Sequence, residues 1–328
     1  MIAHRSWHWT AAGLLLCTLA VVGVLFGTVP LRLGDVASAF GGSATASTRE
    51  IVLTLRAPRV LLAALVGIAL GASGAALQAT LRNALAEPYL LGVSGGAAVG
   101  AVAGLVLRIP VALSPVAAFV GASIAVMLAL GIAHGTRSAS HADVRTMLMA
   151  GVVVGAFANA VIMIVLANVP LDTIRGALWW MMGSVGDASW RNVMWLAIYV
   201  AVGFSYLYWY GPEIDVLTLG EESAAALGVD VQRSTRRIFL ASALLAAASV
   251  AAAGLVGFVG LIVPHIVRAA GVSRVRPLLL GTAVVGATLV IGADLIARVA
   301  IRPTELPLGA VTAVLGVPFF LLQLRRAR

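Results

Sequence analysis

The sequence contains no lysine, so its 22 basic residues are all arginine. A Walker-type phosphate loop needs a lysine to reach the phosphates of ATP, so this sequence carries no such loop and any ATP must be hydrolysed by another polypeptide. Cysteine is almost as scarce. Cys17 stands alone, which excludes an intrachain disulfide and a cysteine-rich metal cluster. Its place in the first apolar run reads as a small apolar filler. Charge is thin too, at 11% of 328 residues against about 25% in an average soluble domain. With 61% hydrophobic residues, the composition excludes a water-soluble protein. A net charge of +9 would suggest a nucleic-acid partner in a soluble chain. Here the arginines are scattered between apolar runs, which points to membrane topology and to no nucleic acid.

A helix needs about 20 apolar residues to cross the hydrocarbon core. Such runs predict an all-α polytopic membrane protein with about ten transmembrane helices, near 10–29, 59–81, 92–107, 113–134, 146–168, 192–210, 235–256, 258–269, 278–298 and 308–324. The 258–269 segment is short and broken by Gly254, Gly257, Gly260 and Pro264, which leaves nine crossings open. The first run is long enough to span and is read as a helix rather than a signal peptide.

With both termini cytoplasmic, Arg5, Arg82, Arg137, Arg145, Arg233, Arg236, Arg237, Arg268, Arg274, Arg276, Arg325, Arg326 and Arg328 lie inside. Arg32, Arg49, Arg56, Arg59, Arg108, Arg175, Arg191, Arg298 and Arg302 lie outside. The bias has the positive-inside sign, but the outer arginines need a reason to be there. Gly67, Gly71 and Gly74 set up small-xxx-small rows that let helix backbones approach closely. The stretch 172–191, with Trp179, Trp180 and Trp190, reads as a short outer helix at the interfacial aromatic belt, either anchoring or lining a pore entrance. Met147, Met149, Met163, Met181 and Met182 read as core filler. No internal repeat or linker is visible, so residues 1–328 form one permease domain.

The one long cytoplasmic break, 211–234, holds Leu219-Gly220-Glu221-Glu222-Ser223-Ala224-Ala225-Ala226-Leu227-Gly228-Val229-Asp230. A charged first turn, helix formers and a stopping glycine predict a short amphipathic helix. The run resembles the loop by which importer permeases engage their ATPase, with Glu221, Glu222, Ala225 and Gly228 as coupling residues.

Three further stretches carry a wider resemblance: Leu55-Arg56-Ala57-Pro58-Arg59; Gly74-Ala75-Ala76-Leu77-Gln78; and Arg82-Asn83-Ala84-Leu85-Ala86-Glu87-Pro88-Tyr89-Leu90-Leu91-Gly92-Val93-Ser94-Gly95-Gly96. Gly257-Phe258-Val259-Gly260-Leu261-Ile262-Val263-Pro264-His265-Ile266-Val267-Arg268, Ala293-Asp294-Leu295-Ile296-Ala297-Arg298, Glu305-Leu306-Pro307-Leu308-Gly309 and Leu315-Gly316-Val317-Pro318 follow in order. Together they resemble the FecCD family of type II ABC importer permeases over roughly residues 50 to 325. Ala84 departs from the family's usual proline.

The resemblance implies ten helices and a homodimer in the bacterial inner membrane. It also implies two cytoplasmic ATPase subunits and a substrate-binding protein docking outside. No bound cofactor is implied, and ATP is used by the partner. The cargo is a metal chelate, with iron chelates favoured, haem ahead of ferric siderophores, and cobalamin as the alternative. Arg56, Arg59 and Arg298 match positions that dock the binding protein; a guanidinium fork suits carboxylate partners there. Gly92, Ser94, Pro264, His265 and Asp294 fall in gate or structural positions, and Arg298 is the i,i+4 partner expected for Asp294. A lone histidine such as His265 is weak ground for metal or haem ligation.

Two other classes were open. Gly92-Val93-Ser94-Gly95-Gly96 fits a serine-nucleophile pattern, but neither His134, His141 nor His265 is placed at the depth an intramembrane protease needs. A secondary transporter would carry midplane ionisable groups and an inverted repeat, and neither is visible.

Overall fold

The computed structural model describes residues 3–27, 29–135, 144–301 and 304–326. Arg137, His141, Arg302 and Arg328 lie outside the described residues, as do the side chains of Arg5, His134, Arg145, Arg325 and Arg326. The described chain is all-helical. In order it runs α1 (Ala3–Leu25), α2 (Leu33–Gly41), α3 (Ala46–Glu50), α4 (Ala57–Thr80), α5 (Val93–Val106), α6 (Ser114–Gly135), α7 (Val144–Leu166) and α8 (Leu171–Met181). It continues with α9 (Trp190–Trp209), α10 (Gly211–Leu217), α11 (Glu221–Ala226), α12 (Val231–Ala253), α13 (Val259–Ala269), α14 (Val275–Val299) and α15 (Leu308–Arg326).

Every segment expected to span is helical. Among the described residues six helices are long and apolar enough to cross a membrane: those ending at Thr80, Ala133, Leu166, Trp209, Ala253 and Val299. The apolar helices around Trp9–Leu25, Val93–Val106, Val259–Ala269 and Leu308–Phe320 are shorter. The expected outer helix within 172–191 is α8, which ends at Met181, before the chain turns into α9.

The bundle is organised around α4, which packs against α14, α12, α13 and α9. Composition explains this central position. A Cβ on Gly67 would collide with the Gly286 carbonyl of α14, and a Cβ on Gly286 with the Gly67 carbonyl. Glycine at both positions therefore lets the two backbones touch, the close approach that small residues permit where lipid offers no hydrophobic drive. Gly74 meets the Gly260 carbonyl of α13 in the same way. The small-residue rows read from the sequence are thus contact rows. The methionine reading holds only in part: Met147 is buried, whereas Met149 and Met163 face outward at 70% and 75% exposure, on a helix whose outer face the single chain leaves uncovered.

Candidate functional site

The chemistry of this molecule sits at its two ends and at one internal joint. At one end, Arg59 in the first turn of α4 is gripped by two carboxylates. Its Nε donates to Asp294 Oδ1 at 3.0 Å and Oδ2 at 3.2 Å, and its Nη2 donates to Asp294 Oδ1 at 2.8 Å. Glu305, between α14 and α15, takes Nη1 at 2.9 Å and Nη2 at 2.8 Å in a bidentate pair. Arg298 Nη2 reaches Asp294 Oδ2 at 3.1 Å, which bears out the i,i+4 pair expected from the sequence. Asp294 is 1% exposed, so a carboxylate this buried persists because two guanidiniums surround it.

The other two arginines of the expected docking set have a different employment. Arg56 Nη1 donates to the carbonyls of Val24 at 2.9 Å and Leu25 at 2.7 Å, and its Nη2 to that of Val29. Arg298 Nη1 donates to the carbonyls of Gly23 at 3.1 Å and Phe26 at 3.3 Å. Both thus cap the C-terminal end of α1, where the last carbonyls lack partners and positive charge is favoured. Each is 6% exposed, so in this single chain neither presents its charge at the surface. Arg59 borders an open cavity of about 310 Å³, with Trp179, Asp187, Asp294 and Glu305. The sequence did not point to Glu305 as a partner of Arg59, because 246 positions separate them.

At the opposite end lies the expected coupling segment. α11 forms where anticipated, opened by Gly220 at φ 111° and closed by Gly228 at φ 84°. Glu221, Glu222, Ala225 and Gly228 are all exposed, and Ala224 is the residue turned into the bundle. Leu219 and Leu227 flank α11 at 61% and 63% exposure. The segment is anchored by carboxylates. Asp215 accepts the Val275 N–H at 2.8 Å and so caps α14, while Glu213 accepts from Ser234 Oγ in the first turn of α12. Asp230 caps α12 through the Arg233 N–H at 3.0 Å. Side-chain oxygens thus satisfy orphan N–H donors at helix starts. They also make α10 a strut between α11 and two long helices.

The joint is where two motifs, distant in sequence, interlock. Gln78 on α4 donates to the carbonyls of Gly260 at 3.1 Å and Leu261 at 3.2 Å, and Arg268 holds its Oε1 at 2.6 Å. Tyr89 donates to the Val256 carbonyl at 3.0 Å and accepts the Val256 N–H at 3.2 Å, while Glu87 accepts the Phe258 N–H at 3.1 Å. These bonds fix the break between α12 and α13, where Phe258 adopts φ +67°. Burial raises both the Glu87 carboxyl and the Tyr89 phenol above their ordinary values, and the bonds to Phe258 and Val256 pull back down. Of the expected gate residues, Gly92 takes φ +79° at the start of α5, Pro264 is buried within α13, and Ser94 and His265 are half-buried. Among the described residues no group of three or more His, Cys, Asp or Glu side chains is placed to hold a metal ion.

A bundle of long apolar helices with a charge-locked end and an exposed, strutted helix at the other is the architecture of a helical membrane protein. The chain belongs to the FecCD transport family, whose model matches residues 14–326. It is 38% identical over 331 residues to the vitamin B12 import system permease protein BtuC of Vibrio vulnificus (strain CMCP6), covering 100% of this chain and 97% of that one. It is 42% identical over 288 residues to the cobalamin import system permease protein BtuC of Halobacterium salinarum, covering 87% and 76%. The hemin transport system permease protein HmuU of Yersinia pestis is 34% identical over 323 residues, covering 96% of each chain. The fold matches that of a solved ABC transporter in an inward-facing conformation at a TM-score of 0.87, over 97% of this chain and 98% of that one, at 24% identity. The protein is therefore a membrane-embedded, multi-pass permease of the FecCD transport family. The sequence preference for an iron chelate over cobalamin is not specifically supported, since the relatives include permeases named for vitamin B12 as well as one named for hemin.

Proposed function

We propose that two copies of this chain carry cobalamin across the bacterial inner membrane, crossing it with ten helices each and both termini in the cytoplasm. The observation that carries the cargo is 38% identity, over nearly the full length of both chains, to a permease named for vitamin B12 import. Haem is the second reading, favoured by the hemin permease relative. In this scheme the Arg59 end faces a substrate-binding protein and the α11 end faces two ATPase subunits.

Docking falls to Arg59. Its bidentate partner Glu305 is 43% exposed, so a carboxylate of the binding protein can take Glu305's place at the guanidinium. Arg56 and Arg298 hold α1 beside it. At the other end, ATP-driven movement of the partner presses on α11. The struts from Asp215 and Glu213 pass that displacement to α14 and α12, and α14 carries it to Asp294 by rigid-body tilting. Pro264, His265, Gly92 and Ser94 sit along the internal joint that such tilting has to bend.

The test is ATP-dependent uptake into proteoliposomes holding the chain with its ATPase and binding protein, offered cobalamin, haem and ferric siderophores in parallel. Accumulation of cobalamin alone, needing both partners, establishes the proposal. Accumulation of haem alone moves the cargo to the second reading, and uptake driven by an ion gradient without the ATPase overturns the importer mechanism.

A further inference from the structure

Of the arginines left over at the Arg59 end once α1 and Asp294 are accounted for, three stand by one cavity, Arg191 in its wall and Arg108 and Arg175 next to residues that line it. Arg191 lines a cavity of about 490 Å³, with Trp179, Trp180, Ser184, Asp187, Ser189 and Asn192 among its walls. Arg108 and Arg175 adjoin it in sequence through Ile109 and Gly176, which line it. All three arginines are exposed. Among the described residues, none of their side chains makes a hydrogen bond or ion pair. Asp187 is the single carboxylate in the wall. Arginine against the positive-inside bias with no protein partner implies an anion from elsewhere.

The cavity continues into a second, apolar one of about 170 Å³, with which it shares Arg191, Asn192, Pro115 and Ala251. Trp195, Phe119 and Tyr199 wall this deeper part. Phe119 and Tyr199 pack with ring centroids 5.0 Å apart, and Trp195 stacks on Tyr199 at 6.3 Å. Arg191, Trp195 and Tyr199 lie four residues apart on one face of α9, so the cleft descends about 12 Å from its charged mouth. It stays open because α12 contributes only Ala248, Ala251 and Ala252 to its back wall. Trp195 is 56% exposed, on a helix that is mostly outward-facing.

We infer that this groove holds an anionic glycerophospholipid of the surrounding leaflet, its phosphate at Arg191 and Asn192 and one acyl chain beneath, against Trp195 and Tyr199. A free soluble anion would use the mouth but leave the aromatic cleft empty. A lipid uses both, and the cleft runs down the outward side of a spanning helix. The site is independent of which chelate the protein carries.

Native mass spectrometry of the full chain, purified, delipidated and titrated with phosphatidylglycerol or phosphatidylcholine, tests this. Phosphatidylglycerol is expected to bind saturably and more tightly than phosphatidylcholine, with Arg191→Gln weakening it about fivefold. Trp195→Ala, at an exposed position, should weaken both lipids and keeps the test available if the arginine variant fails to fold. Equal affinity of both lipids, affinity unchanged in both variants, or displacement of phosphatidylglycerol by inorganic phosphate each overturns the inference.

Discussion

The two ends of the bundle are held by opposite devices. At the Arg59 end, buried side-chain charges hold one another: Arg59 and Arg298 close on Asp294, and Arg56 and Arg298 close on the end of α1. At the α11 end, carboxylates hold backbone N–H groups, and α11 itself stays exposed. Buried ion pairs are intolerant, since removing one partner strands the others in a medium that cannot solvate them. Helix caps fail one at a time and cheaply. The Arg59 end is thus a lock and the α11 end a set of struts.

The comparison breaks most sharply at Asp294. Asp294→Asn leaves two guanidiniums facing a neutral amide, and the expected loss is about 3 to 5 kcal/mol. Thermal unfolding of the purified protein should show it as a large drop in Tm, and wild-type stability would mean that the lock is not electrostatic. Gly67→Leu comes next, because its side chain has only the Gly286 backbone to displace. Overpacking of this kind costs about 1 to 3 kcal/mol, read as reduced Tm with the lock charges untouched.

Two changes probe the struts. Gly228 holds φ +84° with nothing within 4 Å of where a Cβ would stand. Gly228→Val therefore meets no clash and pays only for left-handed backbone, about 1 to 2 kcal/mol. It should cut ATP-coupled uptake far more than it lowers Tm, with docking of the binding protein intact. Asp215→Ala removes the cap on α14 at about 1 kcal/mol. Its uptake should also fall out of proportion, whereas a loss of uptake that merely tracks Tm would make α10 a passive brace.

Legibility followed range along the chain. The long apolar helices, the rows at Gly67, Gly71 and Gly74, the Asp294–Arg298 pair and the α11 helix all express local periodicity and are found where the sequence places them, whereas the short α2 and α3 are not signalled by any apolar run. Glu305 with Arg59, Gln78 with Arg268, and Asp215 with the N–H of Val275 are pairings of isolated polar residues across tens to hundreds of positions. A single sequence carries no signal for those. Arg56 shows how burial adds to a reading of charge. Its motif marked it as a docking residue, yet the nearest demand for its protons comes from the open carbonyls of α1.

Glu305→Gln is the smallest and most discriminating change. Glu305 is the exposed member of the lock, and exposed pairs contribute about 1 kcal/mol or less, so Tm should hardly move. The neutral amide still accepts one hydrogen bond but no longer competes as an anion for the Arg59 guanidinium. A binding-protein carboxylate then meets a freer partner, and docking should tighten, most clearly at low salt where charge pairing is least screened. Arg59→Glu should do the reverse, weakening docking and removing its salt dependence. If docking is indifferent to both substitutions, Arg59 belongs wholly to the lock and the partner recognises another part of this end.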